Sequence, residues 1–204
     1  MSLLFDIRGT ALPLPIENLD TDQIMPKQFL RIIDKAGLAQ GLLHDLRFDS
    51  SGQPIAGCVL NDARYRQASI LIGGANFGCG SSREHAVWGL QQYGFSAIIA
   101  PSFAEIFYSN AMNNRLLLVQ LARAEVEALI LDWHRDPSAA LRIDIERQRV
   151  ESASGREYPF PLGERHKRMM IEGLDTIGMT LADLADIRAF ERIHQSRHPW
   201  AMVG

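Results

Sequence analysis

Cysteine is scarce. Cys58 and Cys79 are the only two in 204 residues, too few for a disulfide framework or for the three or four ligands of a structural zinc or iron–sulfur site. Any metal must come largely from elsewhere. Charge of one sign is scarce as well: 21 Lys plus Arg against 24 Asp plus Glu leave −3, which creates no field to gather nucleic acid or an anionic membrane surface. No run approaches the ~18 uninterrupted apolar residues of a membrane span. The first residues, Met1 to Asp6, lack a basic stretch followed by a long apolar one, so a cytoplasmic chain is expected. With 47% hydrophobic and 22% charged residues, the composition excludes a disordered tail or a fibrous repeat. The length predicts one domain over 1–204, with a mobile loop at about 20–35 and a C-terminal helical extension at about 180–204.

Several enzyme signatures are missing too. Gly78-Cys79-Gly80-Ser81-Ser82-Arg83 lacks the last glycine of the dinucleotide fingerprint, and no Lys-Ser or Lys-Thr follows Gly73 to Gly78 as a phosphate loop requires. The hydrolase elbow Gly-x-Ser-x-Gly and the zinc motif His-Glu-x-x-His are absent.

What is present alternates between strand and helix. Ile70-Leu71-Ile72, ended by Gly73-Gly74, and Ala97 to Ala100, ended by Pro101, suit buried strands. Between them Ser82 to Tyr93 reads as a helix with Gly94 at C′. Ser102-Phe103-Ala104-Glu105 reads as a capping box opening a helix to about Asn113, before a strand at Leu116 to Val119. Val126, Leu129, Ile130 and Trp133 recur at helical spacing up to Asp136-Pro137. Leu141 to Glu146 alternates as a strand with one wet face, and Val150 with Tyr158 to Phe160 predicts a hairpin across Ser154-Gly155. Helices follow at Glu164 to Ile171 and at Leu181 to His194, the latter with Leu181, Leu184, Ala185 and Ile187 on its apolar side. Before Phe29 the prolines and acids predict extended chain, turn and loop with little helix. Residues 34–68 read as an irregular excursion covering something else.

The densest segment runs from Gly73 to His85: four glycines within eight positions, then Ser81, Ser82, Arg83, Glu84 and His85 where a helix begins. Glycine allows close backbone approach, the helix N-terminus favours an anion, and Arg83 adds a fork matched to carboxylate. Ser81 followed by Glu84 is also a capping box, so a well-made helix start with no further role is the competing reading. Cys79 is either a reactive thiol or a small packed side chain, and His85 either an acid–base group or a satisfied histidine. His194 with His198, and Arg165 to Arg168, read as surface features. Asn18 to Gln23 reads as a turn, followed by Lys27 and Arg31, which place two cations in a Pro-stiffened loop.

Four blocks together carry a resemblance: Asp20-Thr21-Asp22-Gln23-Ile24-Met25-Pro26-Lys27-Gln28-Phe29-Leu30, Asn76 to Ala86 with its Gly-Ser-Ser-Arg-Glu-His run, Ile99 to Phe107, and Gly173-Leu174-Asp175-Thr176-Ile177-Gly178. In order along nearly the whole chain, they resemble the family of 3-isopropylmalate dehydratase small subunits, which is similar to the last domain of aconitase. The resemblance implies an α/β fold, a swivelling β/β/α three-layer domain with mixed parallel and antiparallel strands. It implies a large-subunit partner that supplies a [4Fe-4S] cluster, this chain binding no cofactor or metal alone. It also implies interconversion of 2-isopropylmalate and 3-isopropylmalate through 2-isopropylmaleate in leucine biosynthesis. By position in the motif, Ser81 is the base acting as alkoxide, and Ser82 and Arg83 bind substrate carboxylate. Asp22, Lys27, Phe29, Leu30 and Arg31 fall in the substrate-binding segment. Phe29, Leu30, Ile32 and Ile33 would wall the isopropyl group, while Arg31 would suit a third carboxylate, as in homoaconitate. Gly73-Gly74-Ala75 departs from the charged residues many bacterial members carry there. Two alternatives stay open: the same chemistry on homoaconitate or 2-methylmalate, or a non-catalytic anion-binding regulatory protein.

Overall fold

The structure is a computed structural model that describes residues 4–30 and 37–201. Arg31, Ile32 and Ile33, and part of the loop expected at 20–35, lie outside the described residues.

Among the described residues, seven strands form one sheet in the order β4-β3-β2-β1-β5-β6-β7. They are β1 (Asp6–Leu14), β2 (Ile70–Gly73), β3 (Ala97–Ala100), β4 (Leu117–Gln120), β5 (Ala140–Asp144), β6 (Arg149–Glu151) and β7 (Glu157–Pro159). The nine-residue β1 joins two halves. Its first part, Asp6 to Thr10, pairs antiparallel with β5, and its second, Ala11 to Leu14, pairs parallel with β2. Strands β2, β3 and β4 continue the parallel half, and β6 and β7 the antiparallel half. The mixed α/β architecture expected from the resemblance is therefore present.

The parallel strands are short apolar runs because both faces are covered: all four residues of β2 and of β3 are buried. Helices α1 (Thr21–Ile24), α2 (Leu38–Gly41) and α3 (His44–Arg47) precede β2, with 3-10 turns at Lys27–Phe29, Val59–Asn61 and Ala63–Tyr65. Then α4 (Glu84–Tyr93) links β2 to β3, α5 (Glu105–Asn113) links β3 to β4, and α6 (Arg123–Arg135) links β4 to β5. Gly94, at φ 123, closes α4 as expected, its amide donating to the Gln91 and Leu90 carbonyls.

Three expectations need correction. The stretch before Phe29 does hold a helix: Asp20 caps α1, its carboxylate accepting the Gln23 amide while Gln23 Oε1 accepts the Asp20 amide. Neither predicted capping box forms. α4 begins at Glu84 with Arg83 at the N-cap and no side-chain cap. Glu84 Oε1 instead accepts from Asn114 Nδ2 at 2.6 Å. Ser102 Oγ accepts the Asn76 amide, which leaves Ala104 as the uncapped start of α5. The last predicted helix is two, α8 (Thr176–Ala182) and α9 (Leu184–Arg197), separated at Asp183, after α7 (Glu164–Glu172). Their apolar side is not buried: Leu181 and Phe190 are exposed and α9 has no buried residue. Along and beyond it the Phe190 ring stacks on His194, His194 meets His198 at a tilt, and His198 meets Trp200 edge-on.

The hairpin of β6 and β7 is tied to α6 by a buried acid. Asp132, 8% exposed, accepts Ser154 Oγ at 2.6 Å and Arg156 Nη2 at 2.7 Å. Removing such an acceptor leaves its donors without a partner, so Asp132→Ala is expected to lower unfolding free energy by ~1–3 kcal/mol in chemical denaturation. Unchanged stability would show that the hairpin is held by packing alone.

Candidate functional site

The site grows from a clasp between two segments that follow strands. After β1 the chain runs through Ile16 to α1; after β2 it runs through Gly74 to Arg83. The two lie side by side. The Asn18 amide donates to the Ala75 carbonyl at 2.9 Å, the Gly78 amide to Leu19 at 2.8 Å, and the Thr21 amide to Cys79 at 2.8 Å. Side chains add to this ladder: Asn76 Nδ2 donates to Asn18 Oδ1 at 2.9 Å, and Cys79 Sγ to the Asn18 carbonyl at 3.2 Å. Cys79 is thus a structural donor here.

Most of the loop glycines serve this close packing. A Cβ at Gly74 would overlap the Ile16 carbonyl oxygen, and one at Gly78, where φ is +76, would enter the Phe107 ring. Phe77, fully buried, meets the Phe103 and Phe107 rings edge-on, and its amide donates to the Ser102 carbonyl. Gly80, exposed and at φ +92, differs from them: a Cβ there would only touch Thr21 and Asp20 at ordinary contact distance. The expected ligand cradle is therefore shorter than the glycine run and begins at Gly80.

Ser81 and Ser82 are exposed, and Arg83 is partly buried. Thr21 Oγ1 donates to the Ser81 carbonyl at 2.9 Å and lies 3.4 Å from Ser81 Oγ. Arg83 is ion-paired through Nη1 with Asp22. Three of the predicted site residues, Ser81, Arg83 and Asp22, are thereby brought to one place from segments some 60 positions apart. Among the described residues, the amides of Gly80, Ser81 and Ser82 have no acceptor, and α4 opens without a side-chain cap. Amides without an acceptor thus adjoin the start of a helix in an exposed stretch, a combination that favours an anion.

Lys27, Phe29 and Leu30 share no hydrogen bond, ion pair or ring contact with Ser81, Arg83 or Asp22 among the described residues. Lys27 is exposed on the 3-10 turn after Met25-Pro26. Phe29 and Leu30 pack partly buried against the core, with the Phe29 ring over Gly41 and 5.2 Å from the His44 ring. His85 lies against the Trp88 ring, centroids 4.9 Å apart. Thr21, 1% exposed, was not among the sequence candidates; its signal was its place in the Asp20-Thr21-Asp22 block. Among the described residues no cluster of three or more His, Cys, Asp or Glu side chains could hold a metal ion, and no helix is long and apolar enough to cross a membrane.

Comparison with known proteins agrees with this geometry. The aconitase C-terminal domain model matches residues 1–124, and the model of the C-terminal domain of 3-isopropylmalate dehydratase small subunits matches residues 176–201. The chain is 56% identical over 200 residues to a 3-isopropylmalate dehydratase small subunit of Chromobacterium violaceum, covering 98% of this chain and 94% of that one. It is 47% identical over 201 residues to one of Bordetella avium, covering 94% and 93%. A crystal structure of 3-isopropylmalate dehydratase from Methanocaldococcus jannaschii superposes with a TM-score of 0.65 at 25% identity, covering 90% of this chain and 99% of that one.

Because the loop glycines pack against protein, Gly74→Ala should destabilise by ~1–3 kcal/mol through overpacking, read as a lower melting temperature of the isolated chain. A neutral Gly74→Ala would mean that the loop is not clasped as described. The clasp, the uncapped Gly-Ser-Ser-Arg-Glu-His helix start and relatives matching over nearly the whole length place this chain in the family of 3-isopropylmalate dehydratase small subunits.

Proposed function

We propose that this chain is the small subunit of a hydro-lyase that interconverts 2-isopropylmalate and 3-isopropylmalate through 2-isopropylmaleate in leucine biosynthesis, working in the cytoplasm with a separate large subunit. The observation that carries the reading is the exposed Ser81 hydroxyl, set on an uncapped helix start beside Arg83. The [4Fe-4S] cluster belongs to the large subunit and supplies Lewis-acid activation of the leaving hydroxyl. Everything else required of this chain is binding and proton transfer.

Ser81, as alkoxide, takes the proton from the carbon next to the hydroxyl-bearing one and returns it after the intermediate has turned over. An ordinary serine is far too weak an acid for that role, so its surroundings must favour negative charge. The free amides of Gly80 to Ser82 and the dipole of α4 do so. Arg83 takes a substrate carboxylate in a bidentate pair, with Ser82 donating one further hydrogen bond. Asp22 holds the guanidinium in place until substrate arrives. Lys27 adds positive charge to the approach, and Phe29 and Leu30 supply the apolar side on which an isopropyl group is accepted; Arg31, outside the described residues, belongs to the same substrate segment.

Assembled with the large subunit, wild-type chain should catalyse isomerisation, and neither subunit should do so alone. Ser81→Ala should remove turnover by about 1,000-fold or more while leaving assembly and melting unchanged, the scale of losing a central proton-transfer group. Full activity in Ser81→Ala would take Ser81 out of the mechanism. Arg83→Lys keeps the charge and loses the fork, so KM for isopropylmalate should rise at least about tenfold, equivalent to ~1.4 kcal/mol of binding. An unchanged KM would remove Arg83 from carboxylate binding.

A further inference from the structure

Thr21 is the one buried hydroxyl that touches the exposed serine. Its side chain is 1% exposed, and its backbone is fixed on both sides: the amide donates to Cys79, and the carbonyl accepts from Met25. Its Oγ1 therefore cannot wander. A threonine hydroxyl has one proton to give and two lone pairs to receive. Here the proton goes to the Ser81 carbonyl at 2.9 Å, so across the 3.4 Å gap to Ser81 Oγ the neutral serine is the donor. That separation is long for a hydrogen bond, as such contacts often are before substrate binds.

The carbonyl of Ser81 does not depend on Thr21 alone. It also accepts the Arg83 amide at 2.8 Å. When Thr21 turns its proton away, that carbonyl keeps a donor, so the rotation is inexpensive. A hydroxyl able to turn toward Ser81 Oγ can stabilise negative charge there at little cost.

We propose that Thr21 is a positioning residue for Ser81: it accepts from the neutral serine and turns to donate to the alkoxide. The proposal rests on the reading of Ser81 as the base. No covalent bond of Thr21 changes. In the forward step the proton leaves the substrate carbon and is bound by Ser81 Oγ, the Thr21 hydroxyl swings back to the Ser81 carbonyl, and rehydration reverses both movements. The dry side of the pair is Thr21 itself, while the wet side is left open to substrate.

The test uses the full chain assembled with its large subunit and iron–sulfur cluster. Thr21→Val keeps the shape and removes the hydroxyl. Losing a donor to the alkoxide raises the pH at which Ser81 ionises, so the ascending limb of kcat against pH should move up by about one unit or more, with KM within about twofold. At neutral pH kcat should fall about tenfold and recover as pH rises. Thr21→Ser retains the donor and should restore kcat to within about threefold with the limb unmoved. Thr21→Ala stands in if Thr21→Val does not assemble.

A kcat loss equal at every pH, or a Thr21→Ser variant as impaired as Thr21→Val, would reduce Thr21 to packing and overturn the proposal. Ser81→Ala is measured alongside. If it is inactive while Thr21→Val keeps the wild-type profile, the Thr21 inference fails and the Ser81 reading stands. If Ser81→Ala keeps full activity, the Ser81 reading itself fails, and the Thr21 proposal with it.

Discussion

The structure depends on the ladder that fastens residues 18–21 to residues 75–81. Three backbone bonds, from the amides of Asn18, Gly78 and Thr21, hold a segment following β1 to a segment following β2. These two strands are parallel neighbours, so their C-terminal ends emerge together at one edge of the sheet. Ligand sites in open α/β sheets form in the crevice outside such ends. Here the two loops are tied to each other, and at the end of the ladder the amides of Gly80, Ser81 and Ser82 have no acceptor among the described residues. Ser81 and Ser82 lie exposed there.

That tie explains the glycines. At Gly74 the facing backbone is too close for any side chain, and at Gly78 the Phe107 ring occupies the Cβ position in a left-handed backbone. A glycine-rich loop is usually taken as space left for a ligand. In this chain most of that space is filled by protein, which fixes Gly80, Ser81 and Arg83 instead of leaving them loose. Rigid placement matters for a hydroxyl that is so weak an acid, since dipoles stabilise its anion best when they need not reorganise.

Local patterns were legible in the sequence where one element decided its own form. Ile70 to Ile72 and Ala97 to Ala100 are apolar runs bounded by glycine and proline, and both became buried parallel strands. The 149–159 hairpin followed from alternation and Ser154-Gly155. Capping failed as a signal because a side chain chooses among all partners in space: Glu84 found Asn114 and Ser102 found the Asn76 amide. The apolar side of the last predicted helix was legible, and it is exposed, since periodicity reports that a face is apolar and not that anything covers it. Ser81 and Arg83 were visible as a motif. Their contacts with Thr21 and Asp22 were not, because those contacts span some 60 residues and are set by the ladder.

The family models divide the chain at a similar place. Residues 1–124, matched by the aconitase C-terminal domain model, contain the parallel half-sheet, the clasp and all the candidate site residues. Residues 176–201, matched by the second, C-terminal family model, contain the exposed α8 and α9. The candidate site residues and helices α8 and α9 therefore lie in different parts of the sequence, joined by the antiparallel half-sheet. Native-state hydrogen exchange of the isolated chain tests the clasp most directly, through the amides of Gly78 and Thr21. Protection of the same order as that of the β1 and β2 amides is the expected result. Exchange at the rate of an open loop would contradict the account, because Ser81 would then have no fixed platform.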